Sequence, residues 1–554
     1  MKKGNSKALA LLVIAVVLLT MFAGCGASNS GNEGSSQQTA ASSEAAASTA
    51  ATTGGDKYAP DPTKTYEISY LIMGNAQTDP NAEILQKYNA TFNVKIIPEF
   101  IEPASWDDLL NIKLASGQIP DVFAAKLPKT LLYYANQGLI AEIPKDALKT
   151  YAPDVMEMID TNAPKAWIGC TIEGKNYGIP YVVSAYAIRH PLVWRTDWLN
   201  NVGITKTPDT LQEFEDAFTK FANEDPDKNG KKDTYGLSIT TFESVFGAFG
   251  VIMDQWWTSY FLEKDNKIVF SAIEPGAKEA LTLISKWYKA GLIDPEFITG
   301  ENKGGYWAVS SDFVNGRIGS SGMGYYYHWG LPGAGLKDGA DYTELKKINE
   351  NATYAFGLPP LGPDGVTRGT GQDPVAGSTF YVLSSALEKD PGKMGKILQM
   401  FNWPQSDVDN WIYNAYGNEG KQFYIEPFNN GELKLYKLSA DYSDPATVSK
   451  EGWQQFFYEA GLNEVKTVNG PLMAQAEKDH MFEYGVVDCY YSLVMPSYGN
   501  YINDLNKLMT DSYIKIITGE QPISYFDTFV TNWKSNGGDI ILKEANDFYA
   551  QSKK

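Results

Sequence analysis

The chain has 554 residues, enough for several domains and a large core, and sets 47 Lys and Arg against 66 Asp and Glu, a net charge of −19. An acidic chain of this kind does not seek nucleic acid or anionic lipid by electrostatics. Three Cys and three His, with no Cys-x-x-Cys and no His cluster, set aside a zinc or redox centre.

Lys2, Lys3 and Lys7 precede an uncharged apolar run, Ala8 to Ala23, followed by Gly24 and Cys25. This is the pattern of a secretory signal over 1–24. F-A-G-C at 22–25 resembles a bacterial lipobox, with Phe22 where Leu is usual, and the resemblance implies a diacylated Cys25 as the mature N-terminus. An uncleaved membrane span is the other reading, but the run is short for that. Residues 25–57 are Gly, Ser, Ala and Thr with almost no large apolar side chain, which reads as a tether without a core. About 30 such residues reach on the order of 30 Å.

The folded part is expected from about Tyr66. Glu67–Ile72 and Val94–Phe100 read as strands and Asn81–Ala90 as a helix. Ser105 and Asp108 suggest a cap on a second helix that turns Leu109, Ile112 and Ala115 inward and stops at Gly117. Pro120–Ala124 is a further short strand. Strands alternating with helices at this spacing predict an α/β layered domain.

Residues 173–237 hold the most information. Tyr177–Val183 is an apolar run interrupted by Pro180, which suits an edge strand or a crossing segment. A second extended run spans Tyr186–Trp194. An amphipathic helix follows, with Leu211, Phe214, Ala217, Phe218 and Phe221 on one face and a capping-box pair, Thr210 and Glu213, at its start. It runs into D-P-D-K-N-G-K-K-D at 225–233, and Tyr235–Ile239 reads as a strand.

Further on, Ala277–Ala290 is an amphipathic helix with Ala280, Leu283, Ile284 and Trp287 inward. Residues 315–329 read as a strand and a flexible aromatic loop. Ser378–Ser384 is an apolar strand and Lys393–Asn402 a helix. M-P-S-Y-G-N-Y at 495–501 opens a helical tail that continues to about Tyr549.

The order of these pieces resembles the extracellular solute-binding proteins (family 1) of carbohydrate ABC importers, in the large Gram-positive lipoprotein branch related to alginate-binding proteins. The resemblance rests on L-A-S-G-Q-I-P-D-V-F at 114–123, G-I-P-Y at 178–181, V-W-R-T-D-W-L at 193–199, the helix and acidic loop after it, and Y-G-N-E-G at 416–420. It implies a two-lobed type II periplasmic-binding-protein-like fold, each lobe a mixed sheet flanked by helices. The implied division is lobe 1 at 58–181, lobe 2 at 182–358, lobe 1 again at 359–440, and lobe 2 with C-terminal helices at 441–554. G-I-P-Y would carry the chain out of lobe 1, and F-G-L-P-P-L at 356–361 would return it.

Asp225, Asp227, Asn229 and Asp233 place side-chain oxygens at positions 1, 3, 5 and 9 of a calcium loop, with the Lys231 carbonyl at 7 and Gly230 at the sharp turn. Gly236 stands at position 12 in place of the usual Glu. The family resemblance suggests Thr234 as a further ligand of a structural calcium. A solvated Asx turn is the other reading.

Trp256, Trp257, Tyr326, Trp329, Tyr416 and Tyr186 are candidate rings for stacking on sugars, with core packing as the alternative for each. By resemblance Trp257, after Phe249-Gly250, leads these. Gly74, Asn75, Gln77 and Asp79 follow the first strand, where α/β domains bind ligands. His328 reads as a packed histidine. Cys170 and Cys489 either pair or stay as buried thiols.

The expected protein is a binding protein and not an enzyme. It is a monomer held by lipid on the outer face of the cell membrane, and it captures an oligosaccharide in an interlobe cleft for an ABC permease, with no nucleic-acid partner. A secreted polysaccharide-degrading enzyme and a peptide receptor on the same fold are the competing readings. No motif nominates a glycosidase carboxylate pair.

Overall fold

The structure is a computed structural model that describes residues 56–552, apart from 184–187, 255–256, 300, 302–308, 331–338, 429–432, 443 and 458–469. Two separate hydrophobic cores organise it.

The first lobe is built on a five-stranded sheet. Strand Tyr66–Met73 is the second in order, parallel to Val94–Ile101 on one side and to the central strand Val122–Lys126 on the other. Ala376–Leu383 pairs antiparallel with Val122–Lys126, and Ile179–Val182 closes the far edge. Pro180 is thus on an edge strand, where its missing N–H does least harm. Helix Glu83–Phe92 connects the first two strands and buries Ile84, Leu85 and Tyr88.

Helix Trp106–Ala115 differs from the expectation. It buries Trp106, Leu110 and Leu114, while Leu109 and Ile112 are 47% and 65% exposed. The helix grows out of a 3-10 turn, Pro103–Ser105, so Ser105 sits in a turn conformation and makes no side-chain cap. That earlier start moves the inward stripe to Trp106, one step round from the expected face.

The second lobe has a small sheet in which Leu192–Arg195 pairs antiparallel with Ser320–Ser321 and Tyr354–Gly357. Helix Leu211–Asn223 packs on it with Phe214, Ala217, Phe218 and Phe221 buried, and both halves of the Thr210/Glu213 capping box are made. Trp194 stacks on Phe218 with centroids 5.4 Å apart. Helices Pro275–Lys289, Tyr498–Thr518, Tyr525–Trp533 and Asp539–Ser552 enclose this core. Leu283 is only half-buried, and Leu281 takes the inward place. Tyr235 and Leu237 form single bridges to Ile318 and Ile293 in place of a strand.

Two expected boundaries move. Phe356 is still a strand residue of the second lobe, paired with Val193. Leu361 also stays there, bridging Thr210, so the return to the first lobe falls at 370–376 rather than 356–361. Residues Trp453, Phe456 and Phe457 belong to the first core, where Tyr70 meets Phe456 and Phe457 edge to face. The last passage into lobe 2 therefore comes after 457. The physical reason is that strand pairing holds 354–357 to 192–195, which no local pattern reveals.

Among the described residues no helix is long and apolar enough to cross a membrane.

Candidate functional site

Three segments lie side by side between the lobes. His190 N–H donates to the Gly371 carbonyl at 2.8 Å, Arg189 bridges Gln372, and Thr370–Gln372 runs parallel to Gly485–Val487. Gly485 is in close quarters: a Cβ there would meet the Gln372 side chain and Arg189 Cβ. These segments form a floor connecting the two cores.

Chain continuity leads from this floor to a hollow in the first lobe. Ile179–Val182 enters the first crossover, and Ala376–Leu383 leaves the second. The hollow has a volume of about 200 Å³ and is lined by Tyr70, Ile72 and Met73 at the end of the first strand, with Ala124, Tyr181, Thr379, Tyr381, Gln454 and Gln455. It lies along the carboxyl-terminal half of the first strand and over its neighbours, toward the strand ends where α/β folds place ligands. Tyr181 and Tyr381 are half-buried rings set edge to face at 6.1 Å. Apolar ring faces beside amides and hydroxyls are the chemistry that binds sugar rings. A larger hollow of about 1060 Å³ runs along helix Leu127–Asn136 beside Val494 and Pro496, away from residues 179–190 and 370–376.

The structure sorts the candidate residues named from sequence. Gly74 borders the hollow: a Cβ on it would stand 2.9 Å from Gln455 Oε1, so its small size lets Gln455 reach in. Asn75 N–H donates to Ser449 Oγ at 3.2 Å. Gln77 Nε2 donates to the Pro98 carbonyl at 3.0 Å, and Asp79 accepts from the Asn81 N–H at 2.8 Å. Gln77 and Asp79 thus spend their polar groups on holding the loop.

The leading aromatic candidates are core residues. Trp257 is 4% exposed and packs on Phe242, Phe246 and Tyr513. Trp329 is wholly buried against Phe313 and Tyr354, with its Nε1–H donated to the Met323 carbonyl at 2.9 Å. Neither has a face left for a ligand in this conformation. Tyr326 is buried on Phe356 and donates its hydroxyl to Asp479 at 2.5 Å. Tyr416 is buried beside Trp411 and Phe423, underneath Tyr181. Trp256 and Tyr186 lie outside the described residues.

The loop read as flexible is packed instead, with His328 buried, which pushes its pKa down to about 4. Cys170 and Cys489 are both free, Cys170 being buried with its thiol on Asn176.

Sequence reasoning missed Tyr381 and Thr379. The signal was present: along Ala376–Leu383 Phe380 and Val382 are buried, so Thr379 and Tyr381 alternate to the other face. Gln454 and Gln455 had no local signal, because they arrive from a distant segment.

The 225–233 loop gathers its oxygens as the spacing suggests. Asp225 and Asp227 accept from the Asn229 N–H at 3.1 and 3.3 Å, and Asp225 also accepts from Gly230. The Asn229 amide nitrogen donates to Asp227 at 2.7 Å and to Asp233 at 3.2 Å, so an N–H donor now serves the carboxylates. Burial, then the neighbouring Asp225 and Asp233, raise the Asp227 pKa. These residues have the hard oxygen donors that calcium takes, although in this arrangement no described group of three or more His, Cys, Asp or Glu is set to hold a metal ion.

Gly236 cannot carry a position-12 Glu, because any Cβ there would run into the Phe218 ring. Thr234 is buried with its hydroxyl donated to the Phe221 carbonyl at 2.8 Å.

Two cores joined by strand crossovers, with a ring-walled hollow at the strand ends beside them, define a two-lobed, type II solute-binding fold. The chain belongs to the bacterial extracellular solute-binding protein family, which it matches over residues 75–410. It is similar to the polygalacturonan/rhamnogalacturonan-binding protein YtcQ of Bacillus subtilis, 24% identical across 99% of this chain and 100% of that one. Among solved structures it is similar to an extracellular solute-binding protein of Bifidobacterium longum subsp. infantis, with a TM-score of 0.63, 16% identity, and 89% and 100% of the two chains covered. It is also similar to the alginate-binding protein AlgQ2 in a form without calcium ion, with a TM-score of 0.57, 17% identity, and 88% and 98% covered.

Proposed function

We propose that this chain is the lipid-anchored receptor of a carbohydrate ABC importer, capturing an oligosaccharide between its lobes and presenting it to the membrane permease. The observation that carries the reading is the hollow walled by Tyr181 and Tyr381 at the strand ends, continuous along the chain with the crossovers. The polysaccharide named for the Bacillus relative and the sugar polymer named for AlgQ2 support it. Ligand held between lobes would stabilise a closed form by its greater affinity for that form. Cys25 supplies the anchor in this reading, and calcium at Asp225, Asp227, Asn229, Lys231 and Asp233 braces the second lobe.

A thermal-shift screen over a glycan library, followed by calorimetry on the best hit, tests the assignment. The expected result is at least one glycan that raises the melting temperature and binds with defined stoichiometry. A library without a binder, or release of new reducing ends from bound glycans, would overturn it.

A further inference from the structure

The hollow at Tyr181 and Tyr381 contains a side chain that the fold itself leaves idle. Gln454 lines it, half-buried, and its amide makes no hydrogen bond among the described residues. Only its backbone is engaged, the N–H donating to the Asn414 carbonyl at 3.2 Å. Gln455 next to it differs, since its Nε2 donates to the Trp453 carbonyl at 3.2 Å.

The backbone of Gln454 is also unusual. Its φ is 60°, in the left-handed region that suits glycine and, among other residues, mainly asparagine and aspartate. The surroundings impose this conformation. Trp453, Phe456 and Phe457 are buried in the first core on either side of it. Asn414, itself 1% exposed, fastens the segment twice: its carbonyl takes the Gln454 N–H, and its Nδ2 donates to the Phe456 carbonyl at 3.2 Å. The Tyr88 hydroxyl donates to Asn414 Oδ1 at 2.9 Å and so fixes which way that amide points. Left-handed backbone at a residue other than glycine costs stability, and such sites gather at ligand clamps, where the surrounding structure over-determines them. Glycine would relieve the strain here. Glutamine keeps the strain and sets an amide on the wall of the hollow.

The rest of the wall suits a ligand rich in hydroxyls. Thr379 lines it with a hydroxyl that has no hydrogen-bond partner among the described residues. Tyr181 and Tyr381 supply ring surface, and no Asp, Glu, Lys or Arg lines the hollow. An amide has an acceptor oxygen and two N–H donors, so it can meet two neighbouring hydroxyls at once, accepting from one and donating to the other.

We propose that Gln454 is a specificity-determining residue: its amide reads a pair of neighbouring hydroxyls on the sugar held at Tyr181 and Tyr381, so that the hollow distinguishes epimers. This rests on the carbohydrate reading above. A sugar with one hydroxyl of the pair inverted leaves half of the amide unpaired, and a site built to hydrogen-bond a hydroxyl rejects a ligand that does not present it.

The test is calorimetry on the full-length mature protein with gluco-, manno- and galacto-oligosaccharides matched in linkage and length, each in its neutral and 6-carboxylate form. The manno and galacto series each differ from the gluco series by one inverted ring hydroxyl. The expected result is that one configuration binds about tenfold or more tighter than its epimers. Gln454→Gly should lose about tenfold to a hundredfold in affinity for that configuration and bring the epimers closer together. Its melting temperature should equal or exceed that of the unmodified protein, because glycine takes the left-handed backbone without strain and this offsets its greater chain entropy. Tyr181→Ala, by contrast, should weaken every configuration alike.

Epimers bound equally by the unmodified protein overturn the proposal and leave the carbohydrate reading intact. So does a Gln454→Gly protein with an unchanged epimer ratio, whether or not its affinity falls. If no configuration binds in either form, the proposal falls, and the glycan-library screen decides the carbohydrate reading separately. If Gln454→Gly fails to fold, Gln454→Asn carries the same test: asparagine accepts left-handed backbone, and its amide is drawn back by one methylene.

Discussion

Tyr181 and Tyr381 meet edge to face, 6.1 Å between ring centroids, on neighbouring strands that run to different crossovers. Their contact ties the wall of the hollow to the two segments about which the lobes are joined. Removing either ring should weaken glycan binding by about 1–3 kcal/mol, by analogy with stacking of bases on aromatic side chains. Calorimetry should therefore report a loss of roughly five- to hundredfold for Tyr181→Ala and Tyr381→Ala, with circular dichroism unchanged. Undiminished affinity in both variants would move the site elsewhere.

Trp257→Ala should behave differently. The indole is enclosed by Phe242, Phe246 and Tyr513, so its loss leaves a cavity in the second core. The expected cost is about 3–5 kcal/mol of stability, read from urea or guanidinium melts. A variant of native stability that had lost only ligand affinity would restore Trp257 as a binding ring.

Calcium should stabilise the protein through the 225–233 loop. A ligand that binds only the native state adds about 2.7 kcal/mol at a hundredfold excess over Kd. Chelator should lower the melting temperature, calcium should restore it, and Asp225→Asn with Asp227→Asn should abolish the response. Elemental analysis without metal, together with no thermal response, would dispose of the site.

Stability should fall as pH rises from about 4 to about 8. Burial, then Asp312, raises Glu301 to about 8; burial raises Asp341 to about 7 and, with Asp294 next, Asp312 to about 6. These acids stay protonated in the native state at pH values where the unfolded chain has ionised. Folding is thus linked to proton uptake, and stability declines from the unfolded carboxylate range up through about pH 8. His190 has the same sign: its raised native pKa contributes fully below the unfolded value and is lost as pH rises through the folded one. Denaturant midpoints between about pH 5 and pH 9 should show the decline, and Glu301→Gln should flatten it. A rising profile would contradict these environments.

Cys25→Ala should abolish fatty-acid labelling and leave the protein unprocessed or released to the medium. Labelling that persists in the variant would show that Cys25 is not the acceptor.

Features set by short-range physics could be read from the order of residues alone. The capping box at Thr210 and Glu213, the apolar stripe from Phe214 to Phe221 and the edge position of Pro180 are local patterns, and each is found where the spacing put it. The order of strands and helices was enough to indicate an α/β layered chain, and the family resemblance implied its two lobes. The oxygen-rich loop was legible for the same reason, since its partners lie within a few residues of one another.

The remaining features depend on contacts between segments far apart in the chain. Phe356 stays in the second lobe because it pairs with Val193, which displaces the return crossover to 370–376. Trp257 and Trp329 are core rather than wall because distant rings close over them, and composition cannot distinguish a buried indole from a cleft one. Gln455 reaches the hollow from a late segment, and His190, Glu243 and Asp373 meet from three separate ones. Burial and charge pairing across such separations are set by how the cores pack, so no window of sequence contains them.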